Sequence, residues 1–228
     1  MLNGIRKFGF NYYFWSRKKR IIDIIEAHIP YIKSKRRKIF NERPFTIISN
    51  NCWGGVVNSR YFMSEYTTPT VGLYFFPEDY LLFISDLKKY INSKLTIISI
   101  TDSRYKETLI QKGQKNVIIG KILDIEIIFL HYKSGKEALE KWNRRKRRIV
   151  WDNLIFKFND QNNATFDQLD KFNSMNFEKK LMFVSNRKYA IIFESAILHK
   201  DWQENEYVLD DVSSYNKYIN LLEFIYDK

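Results

Sequence analysis

Two segments of this sequence contain residue types that could perform chemistry, and each follows a predicted buried strand. The first segment consists of Asn50, Asn51, Cys52, Trp53, Gly54 and Gly55. It is predicted to be a strand-to-helix turn, because run 45–49 is β-branched and residues 56–66 have helical spacing. The amino terminus of such a helix would lower the pKa of the Cys52 thiol. The asparagines would contact a ligand and the glycines would let the backbone approach it, although the same residues would also suit a plain tight turn around a buried cysteine.

The second segment begins at His131. This histidine directly follows the apolar run 122–130, so it is also predicted to lie at the carboxyl end of a strand. Ser134 and Glu137 have the spacing of a capping box, which predicts that a helix opens there and continues to about Ile149. Because ligands collect at the carboxyl ends of strands in α/β proteins, we expect the two segments to contribute to one site.

The predicted helix carries six basic residues in eight positions. They are Lys141, Arg144, Arg145, Lys146, Arg147 and Arg148. Most of them are expected to form a solvated face. Arg145 differs, because it lies at helical spacing from three apolar residues. These are Ala138, Trp142 and Ile149. A buried arginine needs a partner, and guanidinium forks match phosphate, so we predict that Arg144, Arg145 and Arg148 bind phosphate.

The order of the elements predicts an α/β fold with a mixed, largely parallel sheet, helices on both faces and a basic helical amino-terminal arm. The predicted strands cover residues 45–49, 95–100, 122–130, 154–158, 181–185 and 189–193. Helices are predicted between most of them, including one that starts at Pro77. The last two strands are close enough to form an antiparallel hairpin instead of a parallel pair.

The positive charge is concentrated at the amino terminus. The net charge is +12, and residues 1–43 contain twelve Lys/Arg against three acids, which gives +9. We therefore predict a basic arm over residues 1–43 and a single α/β domain over 44–228. Within the arm, the pattern of residues 5–39 predicts a helix that ends near Pro30. The arm is expected either to pack on the body with a solvated basic face or to contact an anionic membrane.

Several classes of protein and site are disfavoured by the sequence. Cys52 is the only cysteine, so no intramolecular disulfide can form, and no spacing of histidines suggests a metal site. No signal peptide or run of eighteen apolar residues is present, which predicts a cytoplasmic protein, in contact with the inner face of the membrane if the arm binds lipid. No cofactor is predicted, and nucleic acid is a disfavoured partner because no recognised nucleic-acid motif accompanies the charge.

The sequence also resembles a bacterial protein family. The resemblance rests on the runs Ser49-Asn50-Asn51-Cys52-Trp53-Gly54-Gly55, Pro69-Thr70-Val71-Gly72-Leu73, Phe129-Leu130-His131-Tyr132-Lys133-Ser134, Glu137-Ala138, Lys141-Trp142, Arg144-Arg145 and Arg148-Ile149. Together these runs resemble the domain-of-unknown-function family numbered nineteen-nineteen, whose members are commonly labelled exopolysaccharide biosynthesis proteins. The resemblance covers roughly residues 44–195 and departs from the expected pattern at Ile119, where a proline is expected before Gly120. It implies an α/β fold and a role in making or decorating a surface polysaccharide, and it implies no particular reaction.

Three functions follow from these observations. The first is a transferase at the cytosolic membrane face that uses a nucleotide-activated or lipid-linked sugar, with His131 as general base and with Trp53 and Trp142 stacking on a ring. No Asp-x-Asp element for a divalent metal accompanies it. The second is an acyltransferase or hydrolase in which Cys52 attacks a carbonyl and a residue such as Asn153 orients His131. The third is a noncatalytic basic module that binds a polysaccharide or nucleic acid.

Overall fold

In a computed structural model, residues 29–203, 205–213 and 217–226 are described. Residues 5–28 of the predicted helix over 5–39 lie outside the described residues. The helix that follows begins at Pro30, the position at which we predicted an end. Proline suits the first turn of a helix, because the N–H that it lacks has no intrahelical partner there.

The described residues form eight strands and nine α-helices. The strands are β1 (Thr46–Ser49), β2 (Leu73–Tyr74), β3 (Thr96–Ile98), β4 (Ile118–Ile122), β5 (Ile125–Phe129), β6 (Leu154–Asn159), β7 (Lys180–Val184) and β8 (Ala196–Leu198). The helices are α1 (Pro30–Glu42), α2 (Trp53–Val56), α3 (Pro77–Ser85), α4 (Leu87–Asn92), α5 (Lys106–Gln111), α6 (Gly135–Lys146), α7 (Phe166–Ser174), α8 (Arg187–Ile192) and α9 (Leu221–Tyr226). A π-helical segment, Val57–Tyr61, continues α2.

The strands belong to two four-stranded sheets, which confirms the mixed α/β class. One sheet is parallel, with the order β1-β6-β7-β8, and the other is antiparallel, with the order β2-β5-β4-β3. The antiparallel sheet depends on the hairpin between β4 and β5, which turns at Leu123 with a φ of 53°. Non-glycine residues rarely adopt this conformation, and such turns are usually marked by Gly or Asn. Because Leu123 takes this place, the sequence gives no signal for the turn.

The predicted strand over residues 189–193 is wrong, because these residues lie largely in helix α8. The Asn186 side chain accepts a hydrogen bond from the Lys188 N–H at 2.8 Å and so caps the start of this helix. The alternative of an antiparallel hairpin with residues 181–185 is therefore also wrong. The strand that follows α8 is β8, which pairs with β7 in parallel.

Helix α3 joins the two sheets. The Tyr80 hydroxyl donates to the backbone oxygens of Ile48 at 2.8 Å and of Lys157 at 2.9 Å, both in the parallel sheet. The Phe75 N–H donates to the Asn50 oxygen at 2.9 Å, which connects the end of β2 to the end of β1. One apolar core then spans both sheets.

The last part of the predicted arm forms helix α1, which packs on the body through Phe40. This ring contacts Phe45 and Phe62 at centroid distances of 5.2 and 5.9 Å. The boundary at residue 43 between arm and domain stays a prediction. Among the described residues, no helix is both long and apolar enough to cross a membrane.

Candidate anion-binding cleft

A cleft of about 480 Å³ opens where the two sheets meet. It is lined by Cys52, Gly55, Val56, Ser59, Arg60, Tyr66, Val71, Gly72, His131, Tyr132, Lys141, Arg145 and Val212. The structure therefore brings Cys52, His131 and Arg145 to one cavity. Cys52 follows β1 of the parallel sheet and His131 follows β5 of the antiparallel one, so they share a cleft but not a sheet.

Gly72 allows the two walls of the cleft to approach each other. Its φ is +70°, and a side chain there would meet Tyr132 Cε2 at 3.2 Å and His131 Cβ at 3.3 Å. Its backbone oxygen accepts hydrogen bonds from the N–H groups of Leu130 at 2.8 Å and His131 at 3.1 Å. A glycine is required at this position both by the left-handed backbone and by the crowding.

Cys52 lies at the amino end of α2, as predicted, but the electrostatic consequence is the reverse of the predicted one. Burial raises the pKa of its thiol, and Asp211 adds to this, whereas hydrogen bonds to the backbone of Gly72 and Leu73 and the charge of Lys157 only partly offset the rise. The Sγ donates to the Leu73 oxygen at 3.6 Å. The resting side chain is therefore a thiol.

Arg145 is buried, as its place on the apolar stripe of α6 predicted. It is 6% exposed, and the stripe residues Ala138, Trp142 and Ile149 are buried with it. The cap of this helix is also present, since the Ser134 Oγ accepts from the Glu137 N–H at 3.2 Å. The helix ends at Lys146, three residues before the predicted end at Ile149.

The guanidinium of Arg145 has aromatic and neutral partners. Its Nη1 donates to the Tyr132 hydroxyl at 2.6 Å and to the Val71 oxygen at 3.4 Å. Its Cζ lies 4.8 Å from the ring centroid of Tyr66 and 5.9 Å from that of Tyr132. Its Nε is buried without a hydrogen-bond partner. Within the described ranges of the chain, no carboxylate is paired with this charge.

Two further cations line the cleft. Lys141 lies one turn before Arg145 on α6 and pairs with Glu137 at 2.6 Å, and Arg60 comes from the π-helical segment. Glu137 is not part of the lining, and none of the lining residues in the described chain is an acid. A cleft with three cations and no acid on its walls favours an anionic ligand.

Asn50 and Asn51 do not line the cleft, and their side chains are used inside the protein. Asn50 Nδ2 donates to the Asn159 side-chain oxygen at 2.7 Å, and Asn51 Nδ2 donates to Asp211 at 2.9 Å. Their side-chain oxygens accept from Lys157 Nζ at 3.4 and 3.1 Å. Each amide therefore already has internal partners, and a contact of Asn50 or Asn51 with a ligand stays a prediction.

Lys157 and Asp211 form the centre of this buried cluster. Both are fully buried, and Lys157 Nζ donates to the Asp211 carboxylate. Burial lowers the pKa of Lys157, and the charge of Asp211 partly offsets this. Burial alone would raise the pKa of Asp211, but the Lys157 charge and the hydrogen bonds from Asn51 and Asn159 outweigh it, so the pKa lies below its ordinary value. The Asp211 carboxylate is therefore ionised at neutral pH.

A family model described as Domain of unknown function (DUF1919) matches residues 24–226. The chain belongs to the DUF1919 family. The match begins before residue 44 and ends after residue 195, so the resemblance extends into the second half of the basic arm, which we had placed outside it. A Haemophilus influenzae protein, described as an uncharacterized protein, is 28% identical over 197 residues, which is 85% of this chain and 87% of that protein.

Other predicted site residues of this DUF1919 protein lie away from the cleft. Trp53 and Trp142 are buried in the core, where neither indole can stack on a ligand. Arg148 pairs with Glu65 at 3.2 Å, and Arg144 is exposed. The sequence did not show that Arg144 and Arg148 lie outside the cleft, because basic residues lie on all sides of this helix.

The two adjacent glycines of the first segment have different neighbours. A side chain on Gly54 would meet the Ile47 backbone oxygen at 2.9 Å, so this glycine lets α2 pack on β1. Gly55 lines the cleft, and a side chain there would meet Val71 at 3.0 Å. Only Gly55 is placed to contact a ligand.

Asn153 cannot orient His131 in this structure. It lies just before β6, at the amino end of the parallel sheet, and its Nδ2 donates to the Pro44 oxygen at 3.0 Å. Cys52 follows the carboxyl end of the neighbouring strand β1. The Cys-His-Asn order in the sequence therefore does not correspond to three neighbouring side chains.

Sequence reasoning missed several residues of the site. In the cleft lining it missed Arg60, Tyr66, Tyr132 and Lys141, and in the neighbouring buried cluster it missed Lys157 and Asp211. Lys157 had a readable signal, since it stands between two phenylalanines in a buried strand. Lys141 had one as well, since it lies four residues before Arg145 on the same face of the helix. Asp211 had none, because it comes from a loop 54 residues after its partner.

Proposed function

We propose that this protein is a transferase of bacterial surface polysaccharide biosynthesis, and that its cleft binds the phosphate of a nucleotide-activated or lipid-linked sugar. The surface polysaccharide is what the family resemblance implies. The phosphate is what the side chains of the cleft favour. The experiments below test the phosphate site.

The observation that carries the proposal is the environment of Arg145. A buried cation without a counter-ion is costly, because it loses its hydration and gains no opposite charge. Its Nε has no partner, and the hydroxyl and carbonyl groups that contact its Nη1 are neutral. A phosphate oxygen in the cleft would supply the missing charge and accept hydrogen bonds from the guanidinium.

The other lining residues would divide the remaining work. Arg60 and Lys141 would add positive charge around the phosphate. His131 is exposed at the mouth of the cleft and would act as general base on the hydroxyl that accepts the sugar. Binding of the phosphate without any transfer would instead favour the noncatalytic binding module.

Substitution of Arg145 by lysine tests the phosphate site. Arg145→Lys keeps the positive charge but loses the planar fork, so the affinity for glucose 1-phosphate and UDP-glucose should fall by about 1 to 3 kcal/mol, the scale of a charge-assisted hydrogen bond. The matched control is Arg147→Lys on the same helix, where the side chain is exposed. Its affinity should be unchanged.

Isothermal titration of both variants measures this difference, after each is checked for an unchanged melting temperature. Equal losses in the two variants, or no loss in either, would show that Arg145 is only one charge of a solvated basic helix. Binding of both probes that weakens in Arg145→Lys alone would support the proposal.

A second candidate is thiol chemistry, because Cys52 and His131 line the same cleft. Burial raises the pKa of Cys52, so at neutral pH the thiolate that would attack a carbonyl is scarce. We expect iodoacetamide to alkylate Cys52 more slowly than it alkylates free cysteine, with a rate that continues to rise at a pH above the ordinary pKa of a thiol. Fast alkylation at neutral pH, lost in His131→Ala, would instead favour the thiol mechanism.

A further inference from the structure

The outward face of α1 is basic and exposed. Tyr31, Lys35 and Lys38 lie at i, i+4 and i+7, so they form one stripe, and Arg37 lies on the flank of the helix, about 100° around the axis from Lys38. All four are exposed, with Tyr31 at 74% and the Lys38 side chain at 76%. Ile29, which is 39% exposed, directly precedes the amino end of the helix.

The opposite face of α1 is fixed to the protein. Phe40 is buried in the core, the Arg36 guanidinium lies 4.0 Å from the ring centroid of Tyr61, and that of Arg43 lies 5.3 Å from the ring of Tyr226. The helix therefore cannot rotate freely about its axis. The basic stripe is held in a constant direction.

We propose that the outward face of α1 docks on an anionic membrane surface. Glu42 lies on the same stripe and pairs with Lys38 at 3.8 Å. Lys35 and Arg37 leave a net positive charge on this part of the helix, which is attracted to acidic headgroups. The large side chains of Ile29 and Tyr31 are exposed at the amino end of the same helix, and such groups gain free energy by entering the boundary between headgroups and acyl chains. Nucleic acid would use the charges but would leave this apolar surface without a partner.

Helix α1 contacts the π-helical segment that forms one wall of the cleft. Tyr61, on which Arg36 stacks, ends the π-helical segment Val57–Tyr61. Ser59 and Arg60 of the same segment line the cleft. A membrane bound to α1 would therefore lie on the other side of a segment that forms the cleft wall. The docking itself does not depend on which ligand the cleft takes.

Vesicle co-sedimentation of the full chain tests the docking. The vesicles contain phosphatidylcholine with or without phosphatidylglycerol, at low and at high salt. The variant K35E/R37E/K38E should bind the anionic vesicles at least about tenfold more weakly, because each basic residue near the surface contributes to the attraction. The matched control K94E/K115E/K121E reverses three exposed lysines elsewhere in the chain, and it should keep most of the binding.

Each outcome of this experiment decides the proposal. Selective loss in the α1 variant, with binding that weakens at high salt, supports it. Equal losses in the two variants would show that only net charge matters and would overturn it, as would full binding by the α1 variant. Binding of duplex DNA is measured for the same variants. If the α1 variant loses more of its DNA binding than of its vesicle binding, the surface is assigned to nucleic acid instead. If K35E/R37E/K38E melts at a lower temperature, the neutral variant K35Q/R37Q/K38Q is used in its place.

Discussion

Lys157 and Arg145 are two buried cations on either side of the turn that carries Cys52, and they differ in what surrounds them. Lys157 is paired with Asp211 and hydrogen-bonded to Asn50 and Asn51. Arg145 has a hydroxyl, a carbonyl and two aromatic rings, and among the described residues it has no acid. The first charge is satisfied by the fold itself. The second would be satisfied by a ligand.

This difference separates a structural cluster from a candidate binding site. Asn50 and Asn51 looked like ligand contacts, because they are polar and follow a strand. They are part of a network that joins the turn after β1 to β6 and to the loop at Asp211. The network fixes the start of α2, since the Asn51 side-chain oxygen accepts from the Trp53 N–H at 3.1 Å. Polarity at a strand end therefore does not by itself identify a site, whereas an unpaired buried charge is a stronger indication.

The largest expected effect is on the satisfied cation. Lys157→Met leaves Asp211 buried without its counter-ion, so the free energy of unfolding should fall by about 3 to 5 kcal/mol. The double variant Lys157→Met/Asp211→Asn removes both charges and should regain much of this loss. Urea denaturation of the two variants and the native chain measures the difference. A small loss in the single variant would contradict the account of the cluster.

The next effect is on the backbone that brings the cleft walls together. Gly72→Ala should lower the free energy of unfolding by about 1 to 3 kcal/mol, because the left-handed φ is strained and the new methyl group meets Tyr132 and His131. It should also weaken binding of UDP-glucose. Gly113→Ala is the matched control, with a φ of +71° and no atom within 4 Å of the added carbon. Equal losses of stability and of binding in both variants would show that the crowding at Gly72 has no part in shaping the cleft.

The sequence predicted those parts of the cleft that depend on local periodicity. The helical spacing from Ala138 to Ile149 located the buried face of α6 and therefore Arg145. The ends of the apolar runs located Cys52 and His131. Each of these inferences needs only a few neighbouring residues, because side-chain direction follows directly from helix or strand geometry.

The rest depended on contacts that are distant in the sequence. Strand β2 has two residues and no periodicity, so the antiparallel sheet that it joins was not predicted as a separate sheet. The pairing of Lys157 with Asp211 and the approach of Arg60 to Arg145 are set by tertiary packing. The pKa of Cys52 was predicted in the wrong direction, because the depth of burial outweighs the position at a helix terminus and is not visible in the sequence.

The most direct test of the central claim compares stability and binding in Arg145→Met. Methionine has a similar length and no charge, so it removes the cost of the unpaired cation as well as its contacts with Tyr132 and Val71. We predict that the free energy of unfolding changes by less than about 1 kcal/mol, since these two terms oppose each other, while binding of UDP-glucose is lost. A loss of stability as large as that of Lys157→Met, or binding of UDP-glucose at the native affinity, would contradict the assignment of Arg145 to a ligand.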